Sequence, residues 1–141
     1  MLAMDITSSW EGGYRCRVRV RDFEIVSDQP AEYAGTDTGP TPTELFLSSL
    51  AVCFTMAVHH AFRKRGVDLP DLAVDVHADY EGLRFGRIRV EVRSSHPKAE
   101  IEALMDRIIS YCYVSNTLQH APDMEFVVTD TPLTHRPAPP A

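Results

Sequence analysis

Residues 45–58 are the most apolar stretch of the chain, 14 positions that end at His59 and His60. Thr41, Pro42 and Glu44 lie just ahead of them. A threonine suits the N-cap of a helix, and a proline suits the first helical position, where its missing N–H has no partner to lose. A glutamate three residues after the threonine completes a Thr-x-x-Glu capping box. The stretch therefore reads as a helix over residues 41–65, stopped by Gly66. A membrane span needs about 20 apolar residues. A run of 14 reads instead as a core helix, with no membrane partner. This helix is apolar almost all round, and such a helix must be covered on every side. One small sheet and one further helix of a 141-residue chain cannot do that. Two chains that share a core can, so a homodimer is expected.

The length suits a single domain over residues 1–132. Residues 133–141 are rich in proline and read as a disordered tail. An apolar fraction of 44% with 24% charged residues is that of a soluble globular protein. The net charge of −6 disfavours a nucleic-acid partner, because the phosphate backbone repels it. The first residues lack a basic start followed by an apolar run and a cleavage site, so no secretory signal is read and a cytoplasmic location is expected. Three cysteines with no Cys-x-x-Cys and no clustered histidines leave no recognisable zinc site, and the reading calls for no metal or cofactor.

Along residues 15–21, Cys16, Val18 and Val20 alternate with Arg15, Arg17, Arg19 and Arg21. That alternation is a half-buried antiparallel strand, preceded by a hairpin turn at residues 11–13. Cys16 shares the apolar face and reads as core. Phe23, Ile25 and Val26 suggest another short strand, followed by a loop over residues 28–40. After the helix, Leu72, Val74, Val76 and Ala78 mark one strand and Ile88, Val90 and Val92 a second, joined through Glu81 and Gly82. Pro97 opens a second helix whose apolar positions Ile101, Leu104, Met105, Ile108, Ile109 and Cys112 keep helical spacing. Residues 125–129 read as a last strand. Strands grouped in runs indicate an α+β fold with antiparallel sheets around two central helices.

Two of the cysteines fall on these helices, Cys53 in the first and Cys112 near the end of the second. Their surroundings are Gly-Pro-Thr-Pro-Thr-Glu-Leu-Phe-Leu-Ser-Ser-Leu-Ala-Val-Cys-Phe (residues 39–54) and Tyr-Cys-Tyr-Val-Ser-Asn-Thr-Leu (residues 111–118). Both segments, and the order of strands and helices, resemble the OsmC family of redox proteins, which includes the organic hydroperoxide resistance proteins. The resemblance implies an intertwined α+β homodimer with sites at its interface. It also implies a catalytic Cys53 that reduces organic hydroperoxides, a resolving Cys112, and an external dithiol reductant. Phe46, Leu50, Phe54, Met56, Tyr111 and Tyr113 could give such a site an apolar pocket for a small hydrophobic hydroperoxide or other ligand.

Activation is where the chain departs from the pattern. A thiol in apolar surroundings has a raised pKa and is inert unless something favours its thiolate. The resemblance implies an arginine held by a glutamate, yet residues 22–43 hold no arginine or lysine and carry Asp22, Glu24, Asp28, Glu32 and Asp37. Arg15 and Arg17 of the N-terminal strand are the candidate thiolate-stabilising cations, although the alternation puts both on the polar face. The position of the family's glutamate is Thr43. Glu44 lies nine residues before Cys53, a helical rotation of about 900° that points it the other way. His60 shares the face of Cys53 but lies about 10 Å along the axis, and reads as a core or interface histidine. The pattern is closer to the OsmC-like branch than to the hydroperoxide resistance branch. The first reading is a thiol-dependent hydroperoxidase. The alternative is a non-catalytic dimer that binds a hydrophobic small molecule at its interface.

Overall fold

The computed structural model describes residues 4–131. The chain divides into two compact units, one made of residues up to Pro42 together with those from Asp123 onward, the other of Thr43–Pro122. The proline-rich tail expected at residues 133–141 lies outside the described residues.

The first unit holds a three-stranded antiparallel sheet of β1 (Thr7–Trp10), β2 (Cys16–Val20) and β3 (Phe23–Ser27), in that order. Val18 opposes Ile25 and Val20 opposes Phe23, so the expected alternation sets the register. The arginines line the other face and meet carboxylates of the same sheet. Arg15 pairs with Glu11 at 3.0 Å, and Arg17 with both Glu11 and Glu24 at 2.9 Å. Exposed pairs of this kind contribute about 1 kcal/mol or less each. Cys16 is only half-buried and stands outside the buried core, because the apolar face it shares is left open. Trp10 and Phe23 remain 74% and 61% exposed on it.

After β3 the chain turns inward at Asp28, which is 1% exposed. Its carboxylate accepts hydrogen bonds from the Thr36 and Thr38 hydroxyls at 2.5 and 2.6 Å and from the Gln29 amide at 2.7 Å. These bonds hold its pKa well below the usual carboxylate range, the Thr36 and Thr38 hydroxyls first, against the opposing effect of burial. The loop closes tightly around this group. A Cβ at Gly35 would stand 1.8 Å from the Gln29 carbonyl oxygen, so only glycine fits there.

The strand expected at residues 125–129 is absent, and residues 121–131 have no regular structure. A strand needs a neighbour to take its N–H and C=O groups, and no strand of the sheet pairs with this segment. Phe126 and Val128 are left 87% and 97% exposed.

The second unit comprises α1 (Pro42–Arg63), the antiparallel hairpin β4 (Ala73–Glu81) and β5 (Arg84–Arg93), then α2 (Lys98–Ala103), α3 (Met105–Tyr111) and α4 (Tyr113–Gln119). The helix that begins the unit starts and stops close to where the capping pattern and Gly66 place it. At 22 residues it is long and apolar enough to cross a membrane by length and composition. Its Leu50, Phe54, Ala57, Val58, Ala61 and Phe62 are nevertheless buried in a core shared with Ile101, Leu104, Ile108 and Cys112. Val74, Val76, Ile88, Val90 and Val92 of the hairpin pack against that core. The helix is covered on one side only, and Val52 and Met56 stay exposed.

The single second helix expected from Pro97 is three short helices. The first break, at Leu104, keeps a 3.0 Å bond from the Leu104 N–H to the Ile101 carbonyl. The second falls at Cys112, whose φ of −87° and ψ of 99° are extended rather than helical. Helical periodicity therefore continues across a backbone that is not continuous.

Candidate thiol site

Cys53 sits midway along α1, three residues after the buried Leu50 and one before the buried Phe54. It is half-buried and packs on the edge of the core. Cys112, fully buried, caps the start of α4. Cys53 packs against the core that holds Cys112, and Cys112 is among the groups that raise the Cys53 thiol pKa. Cys112 is thus not on a helix, as its spacing suggested, but in the break between two.

That break supplies the polar groups of the site. The Ser115 N–H donates to the Cys112 Sγ at 3.5 Å, and the Ser115 hydroxyl donates to the Cys112 carbonyl at 3.2 Å. The backbone N–H groups of Val114 and Tyr113 act on the Cys53 sulfur and favour its thiolate. Burial outweighs them. It pushes the Cys53 thiol above its ordinary pKa, and the neighbouring Cys112 adds to that rise.

Tyr111 anchors the break to α1. Its ring meets the His60 ring edge-on at 4.8 Å between centroids, and Lys64 lies 5.0 Å over it while donating to its hydroxyl at 3.2 Å. His60 is accordingly an exposed partner of Tyr111 rather than a core residue. The remaining residues of the expected apolar pocket separate. Leu50 and Phe54 are core, at 2% and 6% exposure, while Met56 and Tyr113 are exposed, at 65% and 83%. Phe46 stacks on Phe85 at 6.1 Å, and Phe85 in turn meets Tyr80 at 4.7 Å. The Tyr80 hydroxyl donates to the Thr43 hydroxyl at 3.1 Å. Phe85 and Tyr80 escape sequence reasoning because their strand alternation marks them only as sheet residues. An open cleft of about 610 Å³ between β5 and α2, lined by Val92, Arg93, His96, Ile101 and Met105 among others, contains neither thiol. Arg15 and Arg17 are engaged by Glu11 and Glu24 in the first unit, and no lysine or arginine is among the main influences on Cys53.

The family model for OsmC-like proteins matches residues 35–127. No curated protein matches the chain. Among solved structures, an OsmC-like protein from Mycoplasma pneumoniae superposes with a TM-score of 0.73 at 22% identity, covering 85% of this chain and 89% of that one. An organic hydroperoxide resistance protein from Legionella pneumophila gives a TM-score of 0.61 at 21% identity over 84% of this chain and 90% of its own. The organic hydroperoxide resistance protein OhrB of Bacillus subtilis gives 0.62 at 19% identity over 85% and 93%. At these identities the structural likeness establishes the α+β fold.

Proposed function

The chain belongs to the OsmC-like protein family, and from that premise we propose that it is a thiol-dependent reductase of organic hydroperoxides, acting as a homodimer. One observation supports the reading, the packing of Cys53 on α1 against the core that holds Cys112 from the later break. Free cysteines are common as small core hydrophobes. A pair in one core, with the Ser115 N–H donating to the Cys112 sulfur and the Val114 and Tyr113 backbone favouring the Cys53 thiolate, is suited to more than packing.

In the proposed cycle the Cys53 thiolate attacks the outer oxygen of a hydroperoxide. The O–O bond breaks, the alkoxide leaves and takes a proton to become an alcohol, and Cys53 becomes a sulfenic acid. The Cys112 sulfur then attacks the Cys53 sulfur. The S–S bond forms, the S–O bond breaks, and hydroxide leaves as water with the Cys112 proton. An external dithiol reduces the disulfide by exchange and is itself oxidised. The raised pKa of Cys53 makes its thiolate scarce at neutral pH, so the attack is slow there and quickens as pH rises.

Apolar surface left open in each unit supports the dimer. Val52 and Met56 of α1 are uncovered in the second unit, and Trp10 and Phe23 of the sheet in the first. Sedimentation at micromolar concentration is expected to give about twice the 15.8 kDa chain mass.

The test is thiol mapping during turnover. With an alkyl hydroperoxide and a dithiol, wild-type protein should consume peroxide, and non-reduced peptides should show a link between residues 53 and 112. Cys53→Ser should abolish consumption. Cys112→Ser should permit one oxidation per chain and no recycling. A link through Cys16, or an absence of thiol-dependent consumption between pH 7 and pH 9, would sink the proposal.

A further inference from the structure

In an unbroken α-helix each N–H bonds to the carbonyl four residues earlier. Across Cys112 that rule would tie Tyr113 to Ile109, Val114 to Ser110 and Ser115 to Tyr111. The structure uses these groups otherwise. The Ile109 carbonyl accepts from the Cys112 N–H at 3.2 Å, and the Ser115 N–H turns to the Cys112 sulfur at 3.5 Å. The Ser110 carbonyl accepts from the Asn116 side-chain amide at 3.2 Å. Regular bonding resumes with the Asn116 N–H to the Cys112 carbonyl at 3.0 Å. The amides released by the break, those of Tyr113 and Val114, are the ones that act on the Cys53 sulfur.

We infer that Asn116 is a positioning residue for the thiol pair: by occupying the Ser110 carbonyl across the break, its side chain keeps α3 and α4 from joining into one helix and so keeps the Val114 and Tyr113 amides turned to Cys53. The Ser110 carbonyl is the natural acceptor for the Val114 N–H. Left vacant, it can take that donor back, and Cys53 then loses the groups that favour its thiolate. Asn116 is suited to the role because it reaches over the break from the first turn of α4 and its amide supplies the donor that the carbonyl lacks. Ser115 secures the other side of the break through its two bonds to Cys112. Cys112 faces Cys53 from the break, His60 follows it on α1 with its ring against Tyr111, and Lys64 is engaged by the Tyr111 hydroxyl. The inference builds on the thiol chemistry proposed above but is read without any hydroperoxide.

The experiment measures the pH dependence of Cys53 alkylation by iodoacetamide in the full chain, by mass spectrometry of the residue-53 peptide. Asn116→Leu keeps the size of the side chain and removes the donor. It is expected to move the profile to higher pH and slow alkylation at pH 7 about three- to tenfold, a tenfold change being one pKa unit. Asn116→Gln keeps an amide donor and should restore part of the rate. Thr117→Ala removes a 2.8 Å bond to the Tyr113 carbonyl in the same helix. It should lower the melting temperature without moving the profile, which separates positioning from general stability. If Asn116→Leu does not fold, Asn116→Ser is read in its place, since the short hydroxyl cannot reach the Ser110 carbonyl. A profile for Asn116→Leu or Asn116→Ser that superposes on wild type overturns the inference, whatever the melting temperature does. A wild-type protein that consumes no hydroperoxide but shows the Asn116 shift would overturn the proposed activity and leave the positioning role standing.

Discussion

The reactivity of Cys53 can be worked out from its surroundings. An ordinary cysteine titrates at about 8.5, so about 3% of it is thiolate at pH 7. Burial and the adjoining Cys112 place Cys53 above its ordinary value, and its thiolate fraction at pH 7 is correspondingly smaller. Alkylation of Cys53 should therefore be slower than that of an unfolded cysteine peptide at pH 7. The rate should climb about tenfold per pH unit and level off only above about pH 8.5. Replacing Cys112 with alanine removes both effects of that neighbour and leaves burial and the backbone donors. The plateau of Cys112→Ala should then move to lower pH, and its rate at pH 7 should rise. The assay is quenched-flow alkylation between pH 6 and pH 10 with mass readout at residue 53. A wild-type plateau below pH 8, or a rate at pH 7 above that of the free peptide, would refute the reasoning. Stability should follow the same titration. The folded state holds the Cys53 proton more tightly than the unfolded chain, so this contribution is whole below about pH 8.5 and is lost as pH rises through the folded pKa.

Asp28 should behave in the opposite sense: its folded pKa is lowered, so its contribution is whole above the unfolded value of about 3.9 and is lost as pH falls below it toward the folded pKa. An Asp28→Asn substitution would turn an N–H₂ group toward donors, so the variant should be destabilised at pH 7 and should lose the acid-dependent part of its unfolding curve, as chemical denaturation at pH 7 and pH 3 will show. Ile108 is 0% exposed in the core between α1 and α3, so Ile108→Ala should cost about 2–5 kcal/mol in urea unfolding; a cost below about 1 kcal/mol would mean that this core is not closed around it.

Much of the architecture was legible because its signals are local. Alternation gave β2, β4 and β5, and a capping pattern with a terminal glycine gave α1. The family was legible through the two segments around Cys53 and Cys112. The break at Cys112 was not. No glycine or proline marks it, and Ile101, Leu104, Ile108 and Cys112 keep a helical period straight up to it because each still faces the core. At the break the Ser115 and Asn116 side chains bond backbone carbonyls, a signal too short-ranged for periodicity to register. Residues 125–129 failed for a different reason. Their alternation is that of a strand, but pairing depends on a neighbour that the sequence of the segment does not specify. Cys16 follows the same logic, since its apolar strand face is genuine but uncovered.

The main groups that favour the Cys53 thiolate are amides rather than a cation. Arg15 and Arg17 are held by Glu11 and Glu24, and the buried Asp28 is satisfied inside its own loop by hydroxyls and amides. Amides differ from an arginine in two respects that matter here. They carry partial charge only, so they offset burial without overcoming it, which is the balance that leaves the thiol pKa raised. Their direction is also fixed by the fold rather than by a mobile side chain, so whatever holds the break at Cys112 sets the reactivity of Cys53. A thiol stabilised in this way depends little on ionic strength, because screening acts on full charges in solvent and not on donors packed against a half-buried sulfur. The balance at Cys53 thereby depends less on the charge composition of the chain than on the geometry of the break between α3 and α4, from Ser110 to Asn116.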